Sequence, residues 1–117
     1  MTMKHILSLI TILFISILAS VSLSETLSLD DLVLRNDTWY KKFSDVPFTG
    51  EISGRISGGF VNGKFDGLFV HYWPNGQLQT KGVYADGKQE GYWVYFFQDG
   101  TPLDTFTGTF KNGTKID

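Results

Sequence analysis

A short pattern that occurs twice in register is the feature that most constrains how this chain can fold. Residues 62–76 read NGKFDGLFVHYWPNG, and residues 86–100 read DGKQEGYWVYFFQDG. A fixed period of this length is typical of repeat proteins, in which one small supersecondary unit stacks on the next. Glycines recur 24 residues apart at three matching positions: Gly63 and Gly87, Gly67 and Gly91, and Gly76 and Gly100.

Each copy of the pattern predicts a β-hairpin. An apolar run in each copy, residues 68–73 and 92–97, leads into an Asn-Gly or Asp-Gly pair. Such pairs favour two-residue turns, because positive φ at both positions matches the twist of paired strands. We therefore expect an all-β fold, a meander of stacked antiparallel hairpins in an open sheet or solenoid. The predicted turn positions are Gly67, Asn75, Gly76, Gly91, Asp99 and Gly100.

The return strands are expected at 77–84 and 101–110. The final one carries two extra residues, because Gly82-Val83-Tyr84 matches Gly108-Thr109-Phe110 at a spacing of 26 rather than 24. We place this insertion around residues 104–106, as a bulge or a wider loop.

The chain before the repeats is less regular. Residues 25–37 form an expected lead-in segment, in which 28–34 favours either a short strand or one helical turn capped by Ser28. The repeat domain then covers 38–117. Its first hairpin is expected to run from a strand at 39–43, through a turn at 44–47, to a return strand at 48–52. Glycines within 54–59 would permit a bulge or a tight stack against an aromatic ring.

Strand alternation places apolar side chains on both faces of the predicted sheet. In the first copy one side carries Leu68, Val70 and Tyr72 and the other carries Phe69, His71 and Trp73. In the second copy the corresponding sets are Tyr92, Val94 and Phe96, and Trp93, Tyr95 and Phe97. Either the sheet curls so that both faces are covered, or one apolar face stays open, which is typical of a binding site. The candidate aromatic surface consists of Phe69, Trp73, Trp93, Tyr95 and Phe97.

The first 24 residues have the pattern of a secretory signal peptide. A weakly basic start precedes the apolar run 6–18, and small residues follow at 20–24. We expect cleavage and a secreted or periplasmic product, with an uncleaved N-terminal anchor as the alternative. Removal of Lys4 leaves 9 basic and 12 acidic residues, a net charge of −3. This balance argues against nucleic acid and against anionic lipid surfaces as partners.

The side chains that carry catalysis or bind metals are scarce. His71 is the only histidine after the signal, it occupies the position of Tyr95 in the next copy, and no Gly-x-Ser-x-Gly motif accompanies it. The chain has no cysteine, so the ligands of a zinc site are lacking. Asp66, Asp86, Glu90 and Asp99 recur because the turns recur. We therefore predict a non-enzymatic protein with no cofactor and no metal.

The two copies resemble MORN-type repeats. The resemblance rests on NGKFDGLFVHY at 62–72 and DGKQEGYWVYF at 86–96, which follow the variant pattern N-G-K-x-x-G-x-W-x-x-Y with Phe69 in place of the first Trp. It covers about residues 50–115. The resemblance implies a row of β-hairpins that serves as an interaction or scaffolding surface. It also implies an antitoxin-like or immunity-like role, as in some exported members, and other members are linked to membrane lipids.

Two binding hypotheses follow. In the first, the module binds a protein outside the cytoplasm through a sheet face or an exposed edge strand. In the second, it binds a glycan or the cell wall by stacking Trp73, Trp93 and Tyr95 on sugar rings, which requires those rings to be exposed.

Overall fold

The computed structural model describes residues 26–117, and the predicted signal peptide at 1–24 lies outside these described residues. The described part is almost entirely β, with one short 3₁₀ turn at Leu29–Asp31. Its nine strands are β1 Leu32–Arg35, β2 Thr38–Lys41, β3 Gly50–Ile52, β4 Ile56–Val61, β5 Lys64–Tyr72, β6 Leu78–Ala85, β7 Lys88–Tyr95, β8 Gly108–Lys111 and β9 Thr114–Lys115.

Seven of these strands form one open antiparallel sheet. Strands β3 to β9 lie side by side in their chain order, so every neighbouring pair is a hairpin or a simple return. Strands β1 and β2 form a separate two-stranded sheet. The expectation of an all-β antiparallel meander is therefore confirmed for the described residues.

The first hairpin differs from the expectation. Strand β2 pairs with β1, not with residues 48–52, and the turn is Asn36-Asp37 with φ of 48° and 64°. The two segments expected to pair are joined by one backbone hydrogen bond, from the Phe48 N–H to the Trp39 carbonyl, beside an isolated bridge between Tyr40 and Pro47, and they form no ladder. The predicted boundary between residues 37 and 38 therefore falls inside a hairpin. The two alternatives for 28–34 both occur, a helical turn followed by a strand.

The two-residue turns lie at one end of the strands, at the start of each copy of the pattern and again after β8. Both residues have positive φ in Asn62-Gly63, Asp86-Gly87 and Asn112-Gly113. At the other end, Asn75-Gly76 and Asp99-Gly100 were predicted to form the same turn, and this prediction was wrong. Only Gly76 and Gly100 have positive φ there, both 87°.

The wider loops have a simple cause. In the first, Gly76 donates its backbone N–H to the Trp73 carbonyl, and Trp73 donates its own to the Gln77 carbonyl. This arrangement is a three-residue loop closed by a left-handed glycine, in which Pro74 occupies the first position with its fixed φ. Residues 97–101 repeat the two hydrogen bonds.

Gly67 and Gly91 were expected at turns, but they lie inside β5 and β7. Their φ values of 94° and 71° are positive, and the space where a Cβ would stand is open at both. Because positive φ is rare within a strand for any residue other than glycine, these positions interrupt the regular pleat without ending the strand.

Aromatic rings cover one face of the large sheet in an unbroken row of contacts. At one end Phe60 packs with buried Leu32 and Ile52, under Trp39 of the first hairpin. At the other end Phe106 contacts Tyr95 at 5.9 Å between ring centroids. We call this row the aromatic ladder; its members are Trp39, Phe48, Phe60, Phe65, Phe69, Tyr84, Trp93, Tyr95, Phe106 and Phe110.

The final return strand is shorter than expected. Strand β8 begins only at Gly108, and residues 104–106 form a turn in which Phe106 and Thr107 donate backbone N–H groups to the Leu103 carbonyl. This turn lies where the two-residue insertion was placed. It swings Phe106 onto the end of the aromatic ladder.

Candidate functional site

The face opposite the aromatic ladder carries apolar side chains that nothing in the described chain covers. Leu68 of β5 stands directly across from Val83 of β6, and Tyr92 projects from β7 on the same side. Their exposed fractions are 56%, 46% and 63%. We call this surface the outer face; it consists of Leu68, Val70, Tyr72, Lys81, Val83, Tyr92 and Val94.

A shallow groove runs beside Leu68 toward the β3 edge. It is lined by small residues of β4, among them Gly58 and Gly59, and by Glu51 and Asp66, and its volume is about 280 Å³. The pairing of β4 with β5 shifts register between Gly58 and Phe60, so the predicted bulge in this glycine-rich stretch is present. The groove extends the apolar surface with exposed backbone.

The acidic residues of the repeat hold the hairpins together rather than forming a reactive site. The first residue of each two-residue turn donates its backbone N–H to a side chain of the preceding unit. The distances are 2.9 Å for Asn62 to Thr49, 3.1 Å for Asp86 to Asp66, and 2.7 Å for Asn112 to Glu90. Because these bonds recur, successive turns are fixed relative to one another, and the outer face is a rigid surface.

The five residues of the candidate aromatic surface do not form one surface. Trp93 has an exposed fraction of 0%, and its indole N–H donates to the Val83 and Glu90 carbonyls at 3.2 Å each. Phe69 and Tyr95 are half-buried in the aromatic ladder. Trp73 and Phe97 lie at the loop end of the sheet, where Phe97 is 49% exposed. The platform of Trp73, Trp93 and Tyr95 therefore does not exist, because Trp93 is a core residue.

A second concave feature lies at that loop end. Trp73, Tyr95, Leu103 and Phe106 line an apolar cleft of about 320 Å³, together with Gln79, Thr80 and Phe96. The Trp73 ring is fixed, because its indole N–H donates to the Phe96 carbonyl at 3.0 Å. We call this feature the Trp73 cleft.

The titratable groups near these surfaces show modest shifts. Partial burial, with a smaller contribution from the Arg55 charge, lowers the pKa of His71. Burial raises the pKa of Tyr84, which stacks on Phe65. Among residues 26–117, no three His, Cys, Asp or Glu side chains come together in a way that could hold a metal ion.

The sequence reasoning missed the residues that the fold leaves exposed. The alternation placed Leu68 and Tyr92 on the same side of the sheet, but the candidate binding residues were all chosen from the opposite side. The sequence signal that could have identified the packed side is the position of the glycines. Gly58, Gly82 and Gly108 lie opposite aromatic residues on neighbouring strands, which indicates that those rings lie down on the sheet.

Comparisons with known proteins add no assignment: no family model matches the chain, and searches of curated proteins and of solved structures give no match. The MORN-type resemblance therefore rests on the repeated residues themselves. In the part of the chain that the structure describes, no helix is long and apolar enough to cross a membrane.

Proposed function

We propose that this protein is a non-catalytic binding module that holds a partner protein on its outer face. The observation that carries the proposal is the exposed apolar row of Leu68, Val83 and Tyr92 across three adjacent strands. Contiguous apolar surface of this kind is typical of protein interaction sites. Aromatic anchors such as Tyr92 often dominate the binding energy of such sites.

A protein partner fits this surface better than a glycan. The row combines aliphatic side chains with one tyrosine, and sugar recognition by stacking needs flat rings that are open on one face. Trp93, the central ring of the glycan hypothesis, is buried. The sheet edges also favour the face as the contact, because β3 has three residues and β9 has two. Such short edge strands offer little backbone for strand addition.

The finer assignment is a MORN-type hairpin array that acts outside the cytoplasm after removal of residues 1–24. The 24-residue register and the recurring turn hydrogen bonds support the repeat assignment. An antitoxin-like or immunity-like task would use the same property, a rigid surface that holds one protein.

Intact-mass measurement of the protein recovered from its producing cells should give a chain that begins between residues 21 and 25. A chain that retains residues 6–18 would contradict the cleaved-signal part of the proposal.

The binding proposal is tested with a double variant, Leu68→Ser with Tyr92→Ser. The wild-type protein should retain a partner from an extracytoplasmic extract, and the double variant should lose it. With the purified partner, truncation of two anchors at about 2 kcal/mol each predicts roughly a thousandfold weaker affinity. Titration calorimetry measures this change.

The matched control is Leu34→Ser, which removes a similarly exposed leucine from the separate first hairpin. It should bind as tightly as the wild type, and circular dichroism should show the same β spectrum for all three proteins. Equal binding by the double variant and the wild type would refute the outer face as the contact surface.

A further inference from the structure

The loop after β2 presents an aromatic side chain in an unusual way. Phe43 is fully exposed, and its φ is +66°. A bulky residue with positive φ is a backbone outlier, and such conformations persist where the surrounding structure enforces them. Val46 in the same loop is also well exposed. The loop therefore displays two apolar side chains at a strained turn; we call residues 42–47 the Phe43 loop.

Arg35 makes two contacts with this loop and a third with the strand before it. Its guanidinium donates to the Ser44 carbonyl at 2.6 Å and lies 3.5 Å from the Asp45 carboxylate. It also sits over the Tyr40 ring, 4.1 Å from the centroid. Because the loop is fixed before any contact forms, Phe43 loses little conformational freedom when it binds.

The Trp73 cleft is a receptor of matching chemistry. Its walls are the rings of Trp73, Tyr95 and Phe106, and its volume of about 320 Å³ suits one aromatic side chain with a neighbouring aliphatic one. The wall that carries Phe106 is held by Thr107, whose hydroxyl donates to the Leu103 carbonyl at 3.1 Å and accepts the Tyr95 backbone N–H at 2.9 Å.

Charged side chains of opposite sign stand beside the two features. Lys42 precedes Phe43 and is exposed, and the loop's own carboxylate, Asp45, is paired with Arg35. At the cleft, exposed Asp104 follows Leu103, and Lys115 donates to the neighbouring Thr105 carbonyl. Asp99 adds a second carboxylate on the adjoining loop, next to Trp73 and Phe97. Opposite charges at the rim of an apolar contact favour encounter and fix its orientation.

We propose that the Phe43 loop of one copy inserts into the Trp73 cleft of another copy of this chain. The loop precedes the β3 edge of the sheet, and the cleft is built by β6, β7 and the segment before β8, so the two surfaces are different parts of the molecule. The contact is therefore heterologous, and it joins copies head to tail into chains. It uses no residue of the outer face, and so it goes beyond the binding function proposed above.

The test uses two single variants of the full mature chain. Phe43→Ser removes the inserted ring, and Phe106→Arg places a cation that repels Lys42 at the cleft. Sedimentation velocity over a hundredfold range of concentration should show a mass that rises with concentration for the wild type. Each variant alone should remain monomeric. An equimolar mixture should form a complex of two chains and nothing larger, because each variant keeps one intact half of the contact.

The outer-face variant with Leu68→Ser and Tyr92→Ser should associate as the wild type does, so the two proposals fail or succeed separately. A monomeric wild type at all concentrations, self-association by Phe43→Ser, or a mixture without a two-chain complex would each overturn the inference.

Quenching of Trp73 fluorescence by chitotriose in a monomeric wild type would assign the cleft to a sugar. Binding of that monomer to phosphatidylglycerol vesicles that depends on Phe43 would assign the loop to lipid. Both outcomes also overturn self-association.

Discussion

At the scale of single residues, the aromatic ladder depends on side chains that are absent. Trp93 lies over Gly82 of the neighbouring strand and stands across from Gly108 on the other side. The Trp93 ring fills the space that the missing Cβ of Gly82 leaves, and so it can lie flat on the sheet. A ring that packs over a glycine in this way gives the sheet a packed face without a second layer of secondary structure. At Gly58, which stands across from Phe69, a Cβ would meet only the Leu68 carbonyl and the Phe65 ring, at ordinary distances.

Gly82→Ala tests this packing. A Cβ at Gly82 would overlap the Trp93 indole, and Trp93 cannot move because it is fully buried. We expect a loss of about 3 kcal/mol in the free energy of unfolding, at the upper end for overpacked cores. Gly58→Ala is the control, since its Cβ would meet the Phe65 ring at an ordinary 3.5 Å. Urea denaturation compares the two; an equal loss in both variants would contradict the assigned packing.

His71 predicts a dependence of stability on pH. Partial burial and, less strongly, Arg55 lower its pKa from the ordinary 6.5, so the unfolded chain binds this proton more readily than the folded chain. The free energy of unfolding should therefore fall as the pH drops from about 7 through 6.5 and toward the lowered folded value. Below that value His71 contributes no further slope.

The control for this prediction is His71→Tyr, which places the residue of the next repeat, Tyr95, at this position. Urea unfolding at a series of pH values between about 5.5 and 7.5 measures the slope, a range in which histidine titrates but carboxylates largely do not. The variant should show a flatter profile than the wild type. An identical profile would show that another group is responsible.

At the scale of elements, the repeat unit is a hairpin with two different ends. The two-residue turns, such as Asn62-Gly63, are joined to the preceding unit by backbone hydrogen bonds. The three-residue loops are joined to one another through a side chain, since the Asn75 amide donates to the Gln98 carbonyl at 2.8 Å. Gly63 donates its N–H to the Phe48 carbonyl and accepts the Trp39 N–H at its own carbonyl. The two-residue turn end therefore carries most of the backbone coupling between successive units.

Alanine at Gly63 and at Gly76 should separate these roles. Both glycines have positive φ, which costs an L-residue about 1–2 kcal/mol. Only at Gly63 would the added Cβ also overlap Thr38 and the Trp39 backbone, whereas the space at Gly76 is open. We expect thermal or urea unfolding to show a loss of about 3 kcal/mol for Gly63→Ala and about half of that for Gly76→Ala. A larger loss at Gly76 would contradict this account of the turns.

The sequence predicted the elements that glycine and aromatic spacing encode, and it missed those that depend on tertiary contacts. The strands around both repeats followed from the 24-residue register. The β1–β2 hairpin did not, because Asn36-Asp37 adopts positive φ without a glycine to signal it. The loops at 74–76 and 98–100 were assigned the wrong turn because the residue before each Asn-Gly or Asp-Gly pair also belongs to the loop. The positive φ of Phe43 was also missed, because the turn closed by the Ser44 N–H and the Lys41 carbonyl carries phenylalanine where glycine is usual.

At the scale of the whole molecule, a single sheet has one packed face and one open face. The first hairpin covers the start of the aromatic ladder and the Phe106 turn covers its end, while the outer face receives no cover from residues 26–117. The β3 edge is shielded as well, because Leu27 forms a bridge with Ile52 and accepts the Ser53 N–H. The outer face is therefore left open to a partner.

The most direct test of this arrangement compares two consecutive residues. Tyr92 lies on the outer face and Trp93 in the aromatic ladder, so hydroxyl-radical footprinting of the free protein should oxidise Tyr92 readily and leave Trp93 protected, although tryptophan is intrinsically the more reactive ring. If Trp93 were oxidised as fast as Tyr92, or faster, the packed and open faces would be wrongly assigned, and the proposed binding surface would be wrong with them.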